Sequence, residues 1–232
     1  MAASVSSAPA ISIIIPTLNE AAGIEYTLDR LQSMRERGNQ VILVDGNSND
    51  ATADVAAPLV DCVISVVPGR ASQMHAGLAQ ARHPVIWFLH ADTLAPEEAD
   101  MAIQTALRDA TAVWGRFDVR LSGHRPVFRL VERLMNARSC LTGICTGDQG
   151  IFVLREALDR AGGLPDLPLM EDVELSKRLR RLGSPCCLRQ ALVTSSRRWE
   201  TRGVLRTILL MWTLRAAYAL GVSPQRLARL YR

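Results

Sequence analysis

Aromatic residues are scarce, with three Tyr, four Phe and four Trp in 232 residues. No basic run alternates with them, which excludes a stacking platform for nucleic acid. CxxC spacing is absent and the five cysteines (Cys62, Cys140, Cys145, Cys186, Cys187) are odd in number. A zinc site is thereby excluded, and the expectation is five reduced, mostly buried thiols. The first residues, MAASVSSAPA, lack both the basic start and the apolar stretch of a secretory leader, so a frayed tail at 1–10 and a cytoplasmic protein are expected. Internal repeats and low-complexity linkers are missing as well.

What is present is ordinary globular usage, 48% hydrophobic and 22% charged. The net charge of +4 comes from 27 basic against 23 acidic residues, and arginines crowd the last third of the chain. That tilt suits anionic ligands such as diphosphates or lipid head groups.

ISIII (11–15), VILVD (41–45), CVISVV (62–67) and VIWFLH (85–90) are short apolar, β-branched runs, each followed by turn residues and a helical pattern. Strand and helix in strict alternation predict an α/β, doubly wound, mostly parallel sheet. One helix is expected over EAAGIEYTLDRLQSMRER, others near 50–57, from about Ser72, and after Pro96. Beyond residue 110 the rhythm changes. AVWGRFDVRLS and QGIFVL read as strands and PVFRLVERLMNAR and MEDVELSKRLRRLG as helices, a mixed extension of the same sheet.

Open α/β sheets bind ligands at the carboxyl ends of their strands. Here those ends carry PTLNE, Asp45-Gly46, Gly69-Arg70 and His90-Ala91-Asp92. A carboxylate straight after an apolar strand, as Asp92 is, calls for a cation or donors; a divalent ion bridging phosphates fits, and capping the following helix is the other reading. Asp45 accepts from a base or ribose hydroxyl, or forms a turn before Gly46. Glu20 sits in the same pocket or complements its helix. Arg70 holds a diphosphate or is a solvated loop arginine. Glu171 and Asp172 lie about 100° apart at a helix start, so that only one would face a given cleft.

In order, SIIIPTLNE, VILVDGNSNDAT, GRASQMHAGLAQA and VIWFLHADT resemble the nucleotide-binding half of the family 2 glycosyltransferases, which have the GT-A fold. TGDQGIFVLREALDRAGGLPDLPLMEDVELSKRLRRLG is similar to that family's acceptor half. Within the family the chain resembles a short bacterial branch, some members of which are associated with arsenosugar or selenium-related gene clusters. The resemblance implies one domain over 11–200, with a nucleotide-binding half (11–110) and an acceptor half (111–200), and a helical appendage at 201–232.

It further implies an inverting transferase that moves a sugar from a nucleoside-diphosphate sugar to an acceptor hydroxyl or phosphate, with a divalent cation (Mg or Mn). Pro16, Thr17, Glu20 and Asp45 match nucleoside-contacting positions, with Arg70 beside the diphosphate. Asp92 matches the last carboxylate of the metal-binding DxD, and Asp172 matches the catalytic base. Thr146, Gly147, Asp148 and Glu171 match the acceptor side, and Arg198-Trp199 resemble the RW of QxxRW. His90 stands where the first Asp of DxD would be, His75 where relatives carry Asn, and Ser195 in place of the Gln, which argues against a processive polysaccharide synthase. A nucleotidyltransferase would instead place a glycine-rich basic loop after the first strand, and PTLNEAAG has one Gly and no Lys or Arg. A non-catalytic nucleotide-sugar-binding or assembly subunit would have no need of Asp172.

The segment from Thr201 to Leu220 is apolar nearly all round. It must be covered by its own domain, a homodimer partner, or the head-group zone at the inner membrane face. Arg206 and Arg215 are nine residues apart and so on opposite sides of a helix, which favours protein packing over peripheral membrane contact.

Overall fold

A computed structural model describes residues 9–109 and 111–231; most of the tail expected at 1–10 lies outside the described residues. The four apolar runs form strands β1 (Ile11–Thr17), β2 (Gln40–Asp45), β3 (Cys62–Ser65) and β4 (Val85–Phe88), all parallel. Every residue of β2 and β4 is buried, because helices cover both faces. Alternation assigns the side chains. Ile11, Ile13, Ile15, Leu43 and Trp87 enter one core, and Ile14, Ile42, Val44, Ile86 and Phe88 the other.

The helix expected between β1 and β2 is two helices, α1 (Ile24–Asp29) and α2 (Gln32–Glu36). Between them the Leu31 amide bonds back to Leu28, and Leu28, Leu31 and Met34 are all fully buried; the break lets all three reach the core. α3 (Thr52–Ala56), α4 (Arg70–Gln80), β5 (Thr93–Leu94), α5 (Ala99–Ala106), β6 (Trp114–Leu121) and α6 (Pro126–Thr142) follow. Then come β7 (Phe152–Leu154), α7 (Arg155–Arg160), α8 (Glu171–Leu179), β8 (Cys186–Thr194), α9 (Arg197–Arg202), α10 (Val204–Ala219) and α11 (Pro224–Tyr231).

The sheet order is β3-β2-β1-β4-β7-β6-β8-β5. β7 is antiparallel to both β4 and β6, so the sheet turns mixed just where the sequence rhythm changes. β8 is a strand that the sequence did not announce: CCLRQALVT has exposed Arg189 and Gln190 at its centre. It is parallel to β6, with an irregularity between Phe117 and Asp118.

Two cross-connections brace this frame, one a buried polar network and one covalent. Asp100, fully buried, accepts from Arg37 Nη2 (2.8 Å) and Nε (2.9 Å) and from Asn39 Nδ2 (2.8 Å). Asn39 in turn holds the first amide of β1, Ile11 N, at 2.9 Å. The second feature corrects the expectation of five free thiols: Cys140 and Cys187 form a disulfide, and Cys62, Cys145 and Cys186 are free. The end of α6 lies over the start of β8 and brings two Cα atoms, 47 residues apart in sequence, to 6.0 Å, a separation that a disulfide spans.

Candidate active site

The ends of β1 and β2 are fastened together before they reach the rim. From α4, the Gln73 amide group donates to the carbonyls of Thr17 (2.7 Å) and Val44 (2.8 Å), and Gly46 N donates to Thr17 O at 2.8 Å. The loops beyond are knitted by two asparagines in the left-handed region, Asn19 (φ 55°) and Asn47 (φ 57°), a conformation that Asn tolerates. Asn49 N bonds Asn19 Oδ1 (2.8 Å), and Asn19 N bonds Ser48 Oγ (2.9 Å).

Within this frame Asp45 is buried and accepts from Ser48 N (2.8 Å) and the Ser48 hydroxyl. The turn-forming reading of Asp45 is therefore realised. Thr17 is buried, and Pro16 lines the cavity below the rim. Glu20 reaches across the rim to Arg197, 3.1 Å from its carboxylate. That contact joins the first strand's loop to the residue beside Arg198, and only tertiary structure reveals it.

The opposite rim is a single 3₁₀ turn, Gly147–Gln149, anchored by Gln149 Nε2 on Ser139 Oγ of α6 at 2.8 Å. Gly147 N donates to Asp172 Oδ2 at 2.9 Å, while Val173 N donates to Oδ1 at 2.7 Å. Asp148 sits 3.1 Å from His90 Nδ1, pairing the turn with the end of β4. Met170, buried and held at φ 70°, precedes Glu171 and Asp172. A non-glycine residue there is strained, and the kink delivers both acids at the α8 N-terminus, where the helix dipole favours their charge. Both line one cavity with Arg70, His90 and Gly147. This corrects the expectation that only one of the two would face a given cleft; Glu171 meets Arg70 at 3.6 Å while Asp172 meets the Gly147 amide.

Electrostatics tie the cluster together. Crowding disfavours the Arg70 cation, but the carboxylates of Glu171, Asp172, Asp148 and Asp92 more than offset this and hold it above the usual arginine value. Burial works against the Asp148 anion, yet His90, Arg70 and Arg198 keep its carboxyl below the ordinary range. Glu171 moves the other way, raised first by burial and then by Asp172.

Arg138, which the sequence reading did not single out, and Arg215, which it weighed only for the packing of the C-terminal helix, complete the cationic side. Burial and the neighbouring Arg215 push Arg138 of α6 down to about 10. Burial likewise lowers Arg215 of α10, against the attraction of Asp172 and Asp148. Their signal in the sequence was weak: arginines inside otherwise apolar helical patterns.

Asp92 lies half-buried in the turn after β4, its carboxylate 3.5 Å from the Thr93 hydroxyl. It caps no helix, since α5 begins only at Ala99 with Glu98 at its cap position; the capping alternative is thereby removed. Among the described residues no group of three or more His, Cys, Asp or Glu is placed to hold a metal ion. In the turn after β4, Asp92 is the carboxylate that could be offered to a cation. That suits a hard divalent cation that keeps its waters and takes its other ligands from a diphosphate. Arg198 lies over the Tyr231 ring at 4.5 Å, with Asp148 and Asp92 in its electrostatic reach. Trp199, partly buried, packs against the cluster of Leu121, Phe128 and Val131.

Known proteins resemble this chain in sequence and in fold. The family described as Glycosyl transferase family 2 matches residues 12–160. The probable glycosyltransferase YdaM of Bacillus subtilis is 25% identical over 241 residues, covering 92% of this chain and 55% of YdaM, so the chain spans about half the length of that relative. Among solved structures, the mannosyltransferase PcManGT of Pyrobaculum calidifontis, in complex with GDP-Man and Mn2+, superposes with a TM-score of 0.64 at 23% identity, covering 91% of this chain and 62% of its own. Glucosyl-3-phosphoglycerate synthase of Mycobacterium tuberculosis, in complex with Mn2+, UDP and glucosyl-3-phosphoglycerate, gives 0.57 at 20% identity, covering 80% of this chain and 71% of its own. No helix among the described residues is long and apolar enough to cross a membrane. With the family match covering more than half of the residues and a GT-A-like sheet carrying the rim just described, the chain belongs to glycosyltransferase family 2.

Proposed function

We propose that the protein transfers a sugar from a nucleoside-diphosphate sugar to an acceptor in one in-line displacement with inversion. The observation that carries this reading is the convergence of Asp172, Asp148 and Asp92 around Arg70, with Asp172 oriented by the Gly147 amide at 2.9 Å. Asp172 takes the proton from the acceptor hydroxyl as its oxygen bonds to the anomeric carbon; the bond from that carbon to the diphosphate breaks, and the nucleoside diphosphate leaves. The leaving group is a good one, so no general acid is required. Asp92 would hold a divalent cation, which neutralises charge developing on the diphosphate. Thr17, Glu20 and Asp45 frame the nucleoside site, and Arg70 and Arg198 flank the phosphates.

The acceptor is anionic in this reading. Once Arg70 faces Glu171 and His90 faces Asp148, Arg138 and Arg215 stand beside Asp172 without a hydrogen bond or ion pair to either guanidinium among the described residues. A phosphate or carboxylate on the acceptor supplies their counter-charge; phosphoglyceric acid, found with UDP and Mn2+ in the mycobacterial synthase, carries groups of that kind. Residues 11–200 form the transferase unit, and 201–232 an appendage that contributes Arg215.

A thermal-shift panel of nucleoside diphosphates with and without manganese tests the reading, because a ligand of the native state raises Tm by mass action. One diphosphate should raise Tm only with manganese present. No rise with any of them would overturn the donor assignment.

A further inference from the structure

α10 turns an apolar stripe outward. At about 100° per residue Leu205, Leu209, Trp212, Ala216 and Leu220 fall within about 80° of arc; Leu205 is 77%, Trp212 67% and Leu220 86% exposed. α6 does the same with Val127, Leu130, Leu134 and Leu141. The two helices share one apolar cluster, Leu121, Phe128 and Val131, against which Val204 and Ile208 pack. Those seam residues neighbour the stripe on each helix, so the two stripes adjoin. Together they make a contiguous apolar surface of the kind that marks an interaction site.

Charge decides what that surface fits. From Gly203 to Tyr231 the sequence has no Asp or Glu. α6 has one acid, Glu132, and it is buried on the Leu121 amide at 2.6 Å. Arg133 on α6 and Arg206 on α10 are exposed, and α11, which packs on α10, adds exposed Arg226 and Arg229. A second copy docked about a two-fold axis would set these arginines against themselves, whereas anionic head groups complement them. The opposed Arg206 and Arg215 are no obstacle, because they stand on the two flanks of the α10 stripe, with Arg215 half-buried toward Asp172.

We propose that the outer faces of α6 and α10 dock the protein on a bilayer containing anionic lipids, with Trp212 and the leucines entering the head-group boundary and the arginines meeting lipid phosphates. This surface stands independently of the reaction assigned above.

Sedimentation of the full chain with phosphatidylglycerol–phosphatidylcholine vesicles and with phosphatidylcholine vesicles, at low and raised salt, tests it. The protein should bind the anionic vesicles only, and less tightly as salt rises. The double variant Leu209→Ser/Trp212→Ser should bind at least about tenfold more weakly. Arg133→Gln/Arg206→Gln should lose about fivefold per arginine. Unchanged melting temperatures in both variants keep the comparison clean, because all four side chains are exposed and make no hydrogen bond or ion pair among the described residues. Absence of binding by the parent, equal binding to neutral vesicles, or parent-like binding by both variants each overturns the proposal. So does a dimer of the parent that Leu209→Ser/Trp212→Ser dissociates, which would make the face a self-association surface.

Discussion

The Gly147 amide donates to a carboxylate oxygen of Asp172 at 2.9 Å, joining segments 25 residues apart. The contact requires glycine, because a Cβ at position 147 would collide with the His90 ring. His90 is itself held by Asp148, 3.1 Å away, so the 3₁₀ turn, the end of β4 and the start of α8 are mutually positioned.

Gly147→Ala is expected to displace the His90 ring and the Asp172 carboxylate together. Misplacing reacting groups by about 1 Å costs on the order of 100-fold in rate. Transfer should fall by that order while the melting temperature moves little. A parent-like kcat would show that the turn does not position the acid.

Asp172→Asn retains an oxygen for one of the two amides but removes the base. Binding of the nucleoside diphosphate should persist and transfer fall by about 100-fold or more. If single-turnover transfer by this variant stays near the parent's rate, the base lies elsewhere, with Asp148 next to be tested.

Asp92→Ala is expected to leave the fold intact, since among the described residues its carboxylate makes one hydrogen bond, the long contact to Thr93, besides its attraction for Arg70 and Arg198. The manganese-dependent part of diphosphate affinity should vanish. Equal affinity in parent and variant, measured by titration calorimetry with manganese present, would sink the metal assignment.

Asp100→Ala strips a fully buried carboxylate from Arg37 and Asn39. Removing one partner of a buried pair leaves the others unmatched, and about 3 kcal/mol of stability should be lost. Urea unfolding reads this directly, and a loss below about 1 kcal/mol would mean that water replaces the carboxylate.

Reducing Cys140–Cys187 opens a loop of 47 residues, and the chain-entropy estimate puts the loss at up to about 4 kcal/mol. Unfolding with and without dithiothreitol should differ accordingly. The free thiol of Cys145 should resist alkylation in the folded state, because burial pushes it up to about 12 and the reactive thiolate is scarce at neutral pH. Rapid native-state labelling of Cys145 would contradict its burial.

The sequence by itself determined the parallel half. Four apolar β-branched runs, each ended by turn residues, leave little choice of element or order, because local pattern and burial agree there. It also marked the rim residues Asp45, Asp92 and Asp172 as carboxylates at strand or helix ends, although the turn role of Asp45 became visible only once Ser48 was seen on it. β8 escaped because a half-exposed strand with Arg189 and Gln190 at its centre has no clean period. The disulfide escaped because pairing depends on where α6 comes to lie against β8, and no spacing rule encodes that. For the same reason tertiary structure alone decided that Glu171 and Asp172 line one cavity, the Glu20–Arg197 contact across 177 residues, and the arrival of Arg138 and Arg215 within electrostatic reach of Asp172. Each depends on the packing of distant elements, whereas the four strands of the parallel half are marked by an apolar, β-branched pattern carried within a few residues of the chain.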